Sequence, residues 1–160
     1  MAPAPIVAFA SLAMVAAIAH NRCVHDTALS GAVEREIIEL HVVFEQWFRG
    51  EGPTNLDRVE QVLAPDFTMV PPNGSLVRRG QLMNDLAQAR GSRHVAITIE
   101  HPEMIWWSSG SCLAVYEEVH RHNEHTTRRR STALFLRTDL APNGLIWQHV
   151  HETWVEAPPK

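Results

Sequence analysis

The 160-residue sequence contains only two cysteines, Cys23 and Cys112. They stand far apart, so neither a CxxC redox motif nor a zinc ribbon is present. We expect two unpaired thiols, with Cys112 packed in a strand, and one disulfide between them is the alternative. A domain of this length buries enough apolar surface to fold without a covalent or metal staple.

The sequence also lacks an excess of positive charge. Lys plus Arg total 14 against 18 for Asp plus Glu, which gives a net charge of −4 with neutral histidine. A dedicated nucleic-acid-binding domain usually has a basic balance, so we expect no nucleic-acid partner. No nucleophile elbow, P-loop, Rossmann fingerprint or HExxH motif is present. We therefore predict no organic cofactor and no physiological metal.

A long uncharged run covers residues 3–19. It is short for a membrane span, and it ends in Ala17-Ile18-Ala19, the small-x-small pattern typical of signal-peptide cleavage. No Lys or Arg precedes it, so an Ala-rich helix and an upstream start codon are the alternatives. We predict a signal-like or disordered segment over residues 1–30 and a single domain over residues 31–157. The protein is exported if residues 1–19 are cleaved and cytoplasmic otherwise, with no membrane span in the mature domain.

The rest of the chain changes from helical to alternating periodicity at Gly91. Apolar residues at helical spacing predict three helices, over residues 32–48, 55–63 and 81–89. Between the second and third helices, Pro71-Pro72-Asn73-Gly74 predicts a tight turn in a small hairpin. Four long strands with short connections follow, over residues 94–107, 112–122, 127–137 and 145–155. This order predicts an α+β fold in which the helices cover one face of an antiparallel sheet.

The order of these elements carries short motifs at fixed places. They are Ala64-Pro65-Asp66-Phe67 before the first strand, Pro72-Asn73-Gly74 in the hairpin, Gly80 before the third helix, and a Trp147-Gln148-His149 ending that continues to Trp154. This arrangement resembles the nuclear transport factor 2-like superfamily, and more narrowly its SnoaL-like branch of uncharacterised domains. The resemblance implies a cystatin-like cone, with three N-terminal helices packed on a curved antiparallel sheet, a ligand pocket and a homodimer. Members of the superfamily include isomerases, cyclases, dehydratases and non-catalytic association domains, so the fold alone does not select an activity.

One departure from the ketosteroid isomerases of this superfamily limits what the resemblance implies. Those enzymes have a general-base Asp just before the Pro-x-Gly turn, where this chain has Pro71. The single tyrosine, Tyr116, also leaves little room for a Tyr-based oxyanion hole. The isomerase proton shuttle is therefore not carried over.

The last strand contains an H-x-H pair. His149 and His151 are two residues apart and so point to the same face. If the turns lie where we predict them, that face also carries Glu117, and imidazole and carboxylate groups together form a general acid–base pair. The further residues that this register places there are Trp147, Phe135, Ala133 and Val115. The alternative is that both histidines are structural.

We predict His149, His151 and Glu117 as catalytic residues. The ligand-binding residues are predicted to be His41, Trp47, Phe135 and Trp147. A second H-x-H pair, His120 and His122, is expected in solvent near a hairpin tip together with His125. The run Arg128-Arg129-Arg130 is expected to be solvated.

These observations predict an uncharacterised SnoaL-like pocket protein. Its activity would be that of a cofactor-independent isomerase, cyclase or dehydratase acting on a small apolar organic molecule by His/Glu acid–base chemistry. The alternative is a non-catalytic ligand-binding or dimeric assembly module.

Overall fold

The computed structural model describes the backbone of residues 10–123 and 125–159 and the side chains of residues 27–123 and 125–159. The predicted signal-like run and Cys23 lie outside the residues whose side chains are described, so cleavage and a Cys23–Cys112 disulfide stay predictions. The chain divides into two compact units, Met1–Gly31 and Ala32–Lys160. Within the described part of the chain, no helix is long and apolar enough to cross a membrane.

The first helix, α1 (Ala10–Arg49), has an apolar face in the second unit. Val33, Ile37 and Leu40 follow one another at helical spacing, and each is at most 2% exposed. This spacing is the pattern that the sequence analysis used, because residues three and four apart share one helix face. The first turns of this helix begin earlier in the chain than the predicted start at residue 32.

Glycine ends α1. Gly50 has a φ of 76°, its N–H donates to the carbonyl of Trp47 at 3.0 Å, and the N–H of Glu51 donates to the carbonyl of Gln46 at 2.8 Å. This pair of bonds is a Schellman motif, which satisfies the last carbonyls of the helix. The indole Nε1 of Trp47 donates to the carbonyl of Leu86 at 2.7 Å and so links the end of α1 to the third helix.

Two shorter helices and a six-stranded sheet complete the second unit. The helices are α2 (Asp57–Val62) and α3 (Arg79–Gln88). The strands are β1 (Leu63–Val70), β2 (Val77–Arg78), β3 (Ala96–Trp107), β4 (Ser111–His122), β5 (His125–Arg137) and β6 (Leu145–Glu156). They lie in the order β2-β1-β6-β5-β4-β3.

The sheet is mixed, which corrects the expectation of a wholly antiparallel sheet. Strands β3 to β6 form the predicted antiparallel meander, but β1 pairs with β6 in parallel. All of α3 and the meander separate β1 from β6 along the chain. Such a crossover connection allows parallel pairing, whereas a short turn would force antiparallel pairing.

One face of β4 and β5 is buried. On β4 the buried positions alternate, and the register places each opposite a β5 residue that points the same way. These same-face pairs are Cys112 with Phe135, Ala114 with Ala133, Tyr116 with Ser131, and Glu118 with Arg129.

A β-bulge interrupts β6. Phe135 pairs with Trp147 and Leu134 pairs with His149, so Gln148 is an extra residue on β6. Trp147, Val150 and Glu152 are consequently all buried, although an unbroken strand would have put Trp147 and Val150 on opposite faces.

A fully buried carboxylate, Glu36 on α1, joins three other parts of the second unit. Its Oε1 accepts a hydrogen bond from Nε1 of Trp147 at 2.9 Å. Its Oε2 accepts from Arg58 at 2.7 Å and from Asn143 at 3.0 Å. These bonds fix β6 and α2 against α1 and thereby hold Trp147 in place.

Candidate functional site

A cavity of about 280 Å³ lies between α1, α3 and the buried face of the sheet. This volume is near the lower end of the range for small-molecule sites. Apolar side chains form most of its wall, among them Leu40, Phe44, Phe48, Phe67, Leu86 and Ile97. Polar side chains gather in one part of it: His41, Tyr116, Glu118, His120, Arg129 and Glu152.

Glu118 is at the centre of this polar cluster and is 4% exposed. Its Oε1 accepts a hydrogen bond from Oγ of Ser131 at 2.9 Å and lies 3.4 Å from Nε2 of His41. Its Oε2 accepts from Nε2 of His120 at 3.1 Å and lies 3.4 Å from Nε of Arg129. Burial alone would raise the pKa of Glu118, but these neighbours hold it well below its usual range, so Glu118 is a carboxylate.

The surroundings of His41 favour its protonated form. Its Nδ1 donates to the carbonyl of Ile37 at 2.6 Å, one helical turn back on α1, and its Nε2 faces Glu118. Burial lowers the pKa of His41, but the charge and hydrogen bond of Glu118 raise it more, so the net shift is upward. His41 and Glu118 therefore form a buried ion pair.

His120 contacts the same carboxylate as His41, but its pKa is lowered instead of raised. Burial lowers its pKa and the positive charge of Arg129 lowers it further, which outweighs the effect of Glu118. A neutral ring satisfies both contacts, because Nε2 donates to Glu118 while Nδ1 accepts from Nη2 of Arg129 at 3.0 Å.

The pKa of Glu152 on β6 is shifted in the opposite direction from that of Glu118. Burial and the negative charge of Glu118 raise the pKa of Glu152, and Arg129 only partly offsets them. Nη1 of Arg129 donates to Oε2 of Glu152 at 2.9 Å, so one guanidinium contacts both carboxyl groups. The cavity thus contains two carboxyl groups whose pKa values are pushed in opposite directions, an arrangement typical of acid–base sites.

The cavity also contains a neutral hydrogen-bond donor. Tyr116 is 2% exposed, and burial raises its pKa well above the ordinary value, so the phenol keeps its proton. Its ring packs edge-on against His41, with 5.5 Å between the ring centres. A carbonyl or hydroxyl group of a ligand in this part of the cavity would therefore meet both a phenol and a carboxyl group.

The four predicted ligand-binding residues have different surroundings. His41 and Trp147 line the cavity. Phe135 packs behind Trp147, with 4.6 Å between the ring centres, and Trp47 is buried where α1 meets α3. Phe135 and Trp47 are therefore neighbours of the cavity wall and not part of it.

The three predicted catalytic residues do not line the cavity. Glu117 lies on the other face of β4, where Arg128 and Arg130 donate hydrogen bonds to it. His149 is half-buried with its Nδ1 2.8 Å from Oγ1 of Thr68 on β1, and His151 is exposed. Their catalytic role stays a prediction to which the cavity adds no support.

Glu117, His149 and His151 were predicted to share one sheet face with Trp147, and two features of the sheet correct this prediction. On β4 the predicted register was off by one residue, because Ala133 pairs with Ala114 and not with Val115. A slip of one residue moves a side chain to the opposite face, which explains the position of Glu117. On β6 the bulge at Gln148 separates both histidines from Trp147.

Two expectations of exposure were wrong, and they concern residues of the cavity. His120 is 6% exposed instead of lying in solvent. The side chain of Arg129 is 20% exposed and lies on the cavity face of β5, whereas Arg128, 25% exposed, and Arg130 lie on the opposite face. Alternation along β4 is a usable signal here, since it places His120 on the same face as Tyr116 and Glu118.

Among the residues whose side chains the structure describes, no group of three or more His, Cys, Asp or Glu residues is arranged to hold a metal ion. Both oxygens of Glu118, the central carboxylate of the cluster, already contact side chains of the protein.

Solved structures with this architecture are mostly of unassigned function. An NTF2-like protein of unknown function from Pseudomonas aeruginosa has a TM-score of 0.71 and 27% identity, covering 77% of this chain and 98% of that one. The CaMKII hub of S. rosetta has a TM-score of 0.63 and 16% identity over 78% of this chain and 95% of that one. An uncharacterised cystatin-like protein from Caulobacter vibrioides has a TM-score of 0.56 and 17% identity, over 78% and 90%. The fold with its cavity is therefore that of an NTF2-like, cystatin-like α+β domain.

Within this class the chain belongs to the family described as Sucrose-6-phosphate phosphohydrolase C-terminal, whose model matches residues 33–156. It is similar to sucrose-phosphatase 1 and sucrose-phosphatase 2 of Nicotiana tabacum, with 25% identity to each over 130 and 127 residues. These matches cover 76% and 75% of this chain but only 30% of each relative. The chain thus spans less than a third of the length of the curated relatives that it matches.

Proposed function

We propose that this domain binds a small, largely apolar organic molecule in the cavity and acts on it by acid–base chemistry without an organic cofactor. The observation that carries the proposal is Glu152, a carboxyl group of raised pKa in the polar part of an apolar cavity. Such a group exchanges a proton closer to neutral pH than an ordinary carboxyl group does. The resemblance of the sequence to the SnoaL-like branch favours an isomerase, cyclase or dehydratase.

In this mechanism Glu152 is the catalytic residue. Its carboxyl proton passes to a hydroxyl or carbonyl oxygen of the ligand, and the carboxylate left behind is stabilised by Nη1 of Arg129 at 2.9 Å. Glu118 acts as a positioning residue, because it holds Arg129 and His41 through its two oxygens. Tyr116 donates a second hydrogen bond to the reacting oxygen.

The names of the curated relatives describe a sucrose phosphatase, and that activity is not part of the proposal. The chain spans 30% of their length. The apolar wall of Phe44, Phe48, Phe67 and Ile97 favours a less polar ligand than a sugar phosphate.

An assembly role is the second candidate, since two of the similar structures are hub domains of CaMKII-type proteins. Large apolar side chains are exposed on the sheet strands: Ile105, Trp106, Leu136, Trp154 and Val155. The register places Trp106 and Leu136 on the sheet face away from the cavity. Exposed apolar side chains on one face favour contact with another protein surface. We accordingly propose a homodimer, which light scattering on the full chain would test. A monomer at micromolar concentration would rule it out.

The domain boundaries at residues 31 and 157 are proposed on the same footing. They agree with the family match over residues 33–156 and with the compact unit Ala32–Lys160. We propose export if residues 1–19 are cleaved and cytoplasmic residence otherwise, and the N-terminal sequence of the protein from its own host would distinguish the two.

The acid–base proposal is tested by titrating Glu152. We expect carbon-13 NMR of the labelled carboxyl groups to show Glu152 titrating above the ordinary glutamate range, and E152Q to lose that signal without loss of fold. In native mass spectrometry of the protein from its own host, we expect a bound organic mass. E117Q is the control, since Arg128 and Arg130 lower the pKa of Glu117 on the opposite face.

A normal titration of Glu152 would remove the basis for the catalytic role. If a bound molecule were found in that case, the non-catalytic ligand-binding alternative would stand in its place.

A further inference from the structure

Two charged side chains line the exposed mouth of the cavity. Asp85 lies on α3, and Arg93 lies between α3 and β3. The guanidinium carbon of Arg93 lies 3.8 Å from the ring centre of Phe48, another wall residue. This cation–π contact holds the charge against the apolar wall at the place where a ligand would enter.

The charge of Arg93 is not neutralised by the side chains that the structure describes. Over residues 27–123 and 125–159, no carboxylate oxygen lies within ion-pair distance of it. Partial burial and the positive charge of Arg129 both lower the pKa of Arg93, and no carboxylate raises it. Arg93 therefore keeps hydrogen-bond donors for a partner from outside the chain.

The deep part of the cavity is different, because Arg129 already has two carboxyl partners. Its Nε lies 3.4 Å from Glu118, and its Nη1 donates to Glu152 at 2.9 Å. A third acidic group would be repelled there by the charge of Glu118. A ligand with one negative group is thus expected to keep that group at the mouth and to place its neutral part toward Glu152.

We propose that Arg93 is a specificity-determining residue that binds the carboxylate of an amphipathic organic acid, whose apolar body fills the cavity. This inference rests on the proposed function of the cavity as a ligand site and narrows its ligand class. Asp85 opposes anion binding at the same mouth and so disfavours ligands with more than one negative charge.

The chain provides a matched control for Arg93. Arg90 is three residues away and also stacks on an aromatic ring, with its guanidinium carbon 5.5 Å from the ring centre of Trp47. It is exposed and does not line the cavity. R93Q and R90Q therefore each remove one positive charge from this surface. R93Q removes it at the mouth of the cavity, and R90Q removes it outside the mouth.

Calorimetric titration of the full chain with octanoate and with 1-octanol tests the proposal. We expect octanoate to bind more tightly than 1-octanol, and R93Q to weaken octanoate about threefold to fivefold, as expected for a solvent-screened ion pair. R93Q should leave 1-octanol unchanged, R90Q should leave both unchanged, and D85N should strengthen octanoate. Added salt should weaken octanoate alone.

The outcomes separate this inference from the function on which it rests. If 1-octanol binds as tightly as octanoate, or if R90Q and R93Q have equal effects, Arg93 does not select the ligand while the cavity still binds one. If neither compound binds to the wild-type protein, the inference is overturned and the apolar-ligand proposal loses its support as well. Equal binding of octanoate by R93Q and wild type would also overturn it.

Discussion

The replacement E118Q tests the charge arrangement of the cavity most directly. Glutamine keeps the size of the side chain and its contact with Ser131, but it removes the negative charge beside His41 and Arg129. Removing one partner of a buried ion pair leaves an uncompensated charge and costs about 3 kcal/mol. For a domain of this size that loss lowers Tm by about 9 °C.

The pH dependence of this loss makes the test specific. In the wild type the pKa of His41 is raised above its ordinary 6.5. Its contribution to stability is therefore complete below 6.5 and is lost as the pH rises through the folded pKa. Without Glu118, burial dominates and the pKa of His41 falls below 6.5, so that protonating it opposes folding at low pH.

Glu152 also makes the stability lost in E118Q larger at low pH than at high pH. The charge of Glu118 helps to raise its pKa, so ionised Glu152 opposes folding of the wild type at high pH. E118Q removes that repulsion. The free energy lost in E118Q should therefore be larger near about pH 5.5 than near about pH 8, where histidine changes from charged to neutral.

Urea unfolding of both proteins at the two pH values measures this difference. E117Q is the matched control, because Glu117 is the preceding residue on β4 and its contacts with Arg128 and Arg130 are on the opposite face. It should have a much smaller effect with no such pH dependence. The reasoning is refuted if E118Q loses no more stability at the lower pH, or if E117Q behaves like E118Q.

Two further predictions concern the supports of the cavity. W147F should destabilise the protein by about 2 kcal/mol in urea unfolding, because it keeps an aromatic ring but leaves a buried oxygen of Glu36 without its donor; an effect near zero would show that water replaces the indole. G50A should destabilise by more than G74A in thermal unfolding, since both glycines have positive φ but only a Cβ at Gly50 would come within 3.2 Å of the Cα of Gly91. Equal losses would assign the whole effect to the backbone conformation.

The sequence predicted the elements of the fold closely and the cavity only in part. The predicted long strands end within two residues of the observed bounds, because alternation and turn residues are local signals. The parallel pairing of β1 with β6 has no local signal, since it depends on how distant segments meet. His41 and Trp147 were found through their helix face and strand position, but the choice between Glu117 and Glu118 depended on a register that two neighbouring glutamates cannot specify.

The exposure of the arginine run shows the same limit. Residues 128, 129 and 130 are all arginine, so the sequence gives no local signal that separates Arg129 from its neighbours. A run of like charges is usually solvated. Strand geometry gives the middle residue the opposite face from its two neighbours. Only the packing of β5 against β4 and β6 determines that this face is the buried one.

The bulge in β6 also has a consequence for changes in chain length. Gln148 is the residue that the pairing with β5 does not use, so the strand could lose it and still present Trp147, Val150 and Glu152 to the cavity. A deletion could instead remove a different residue between Trp147 and Glu152. Glu152 would then stay in the cavity only if Gln148 joined the regular pairing and the bulge disappeared. Otherwise Thr153 would take the position of Glu152 opposite Ser131, and His151 would turn inward in the place of Val150. Homologous chains with a one-residue deletion at this point are therefore expected to keep the same cavity chemistry, whereas an insertion would exchange the carboxyl group for an imidazole.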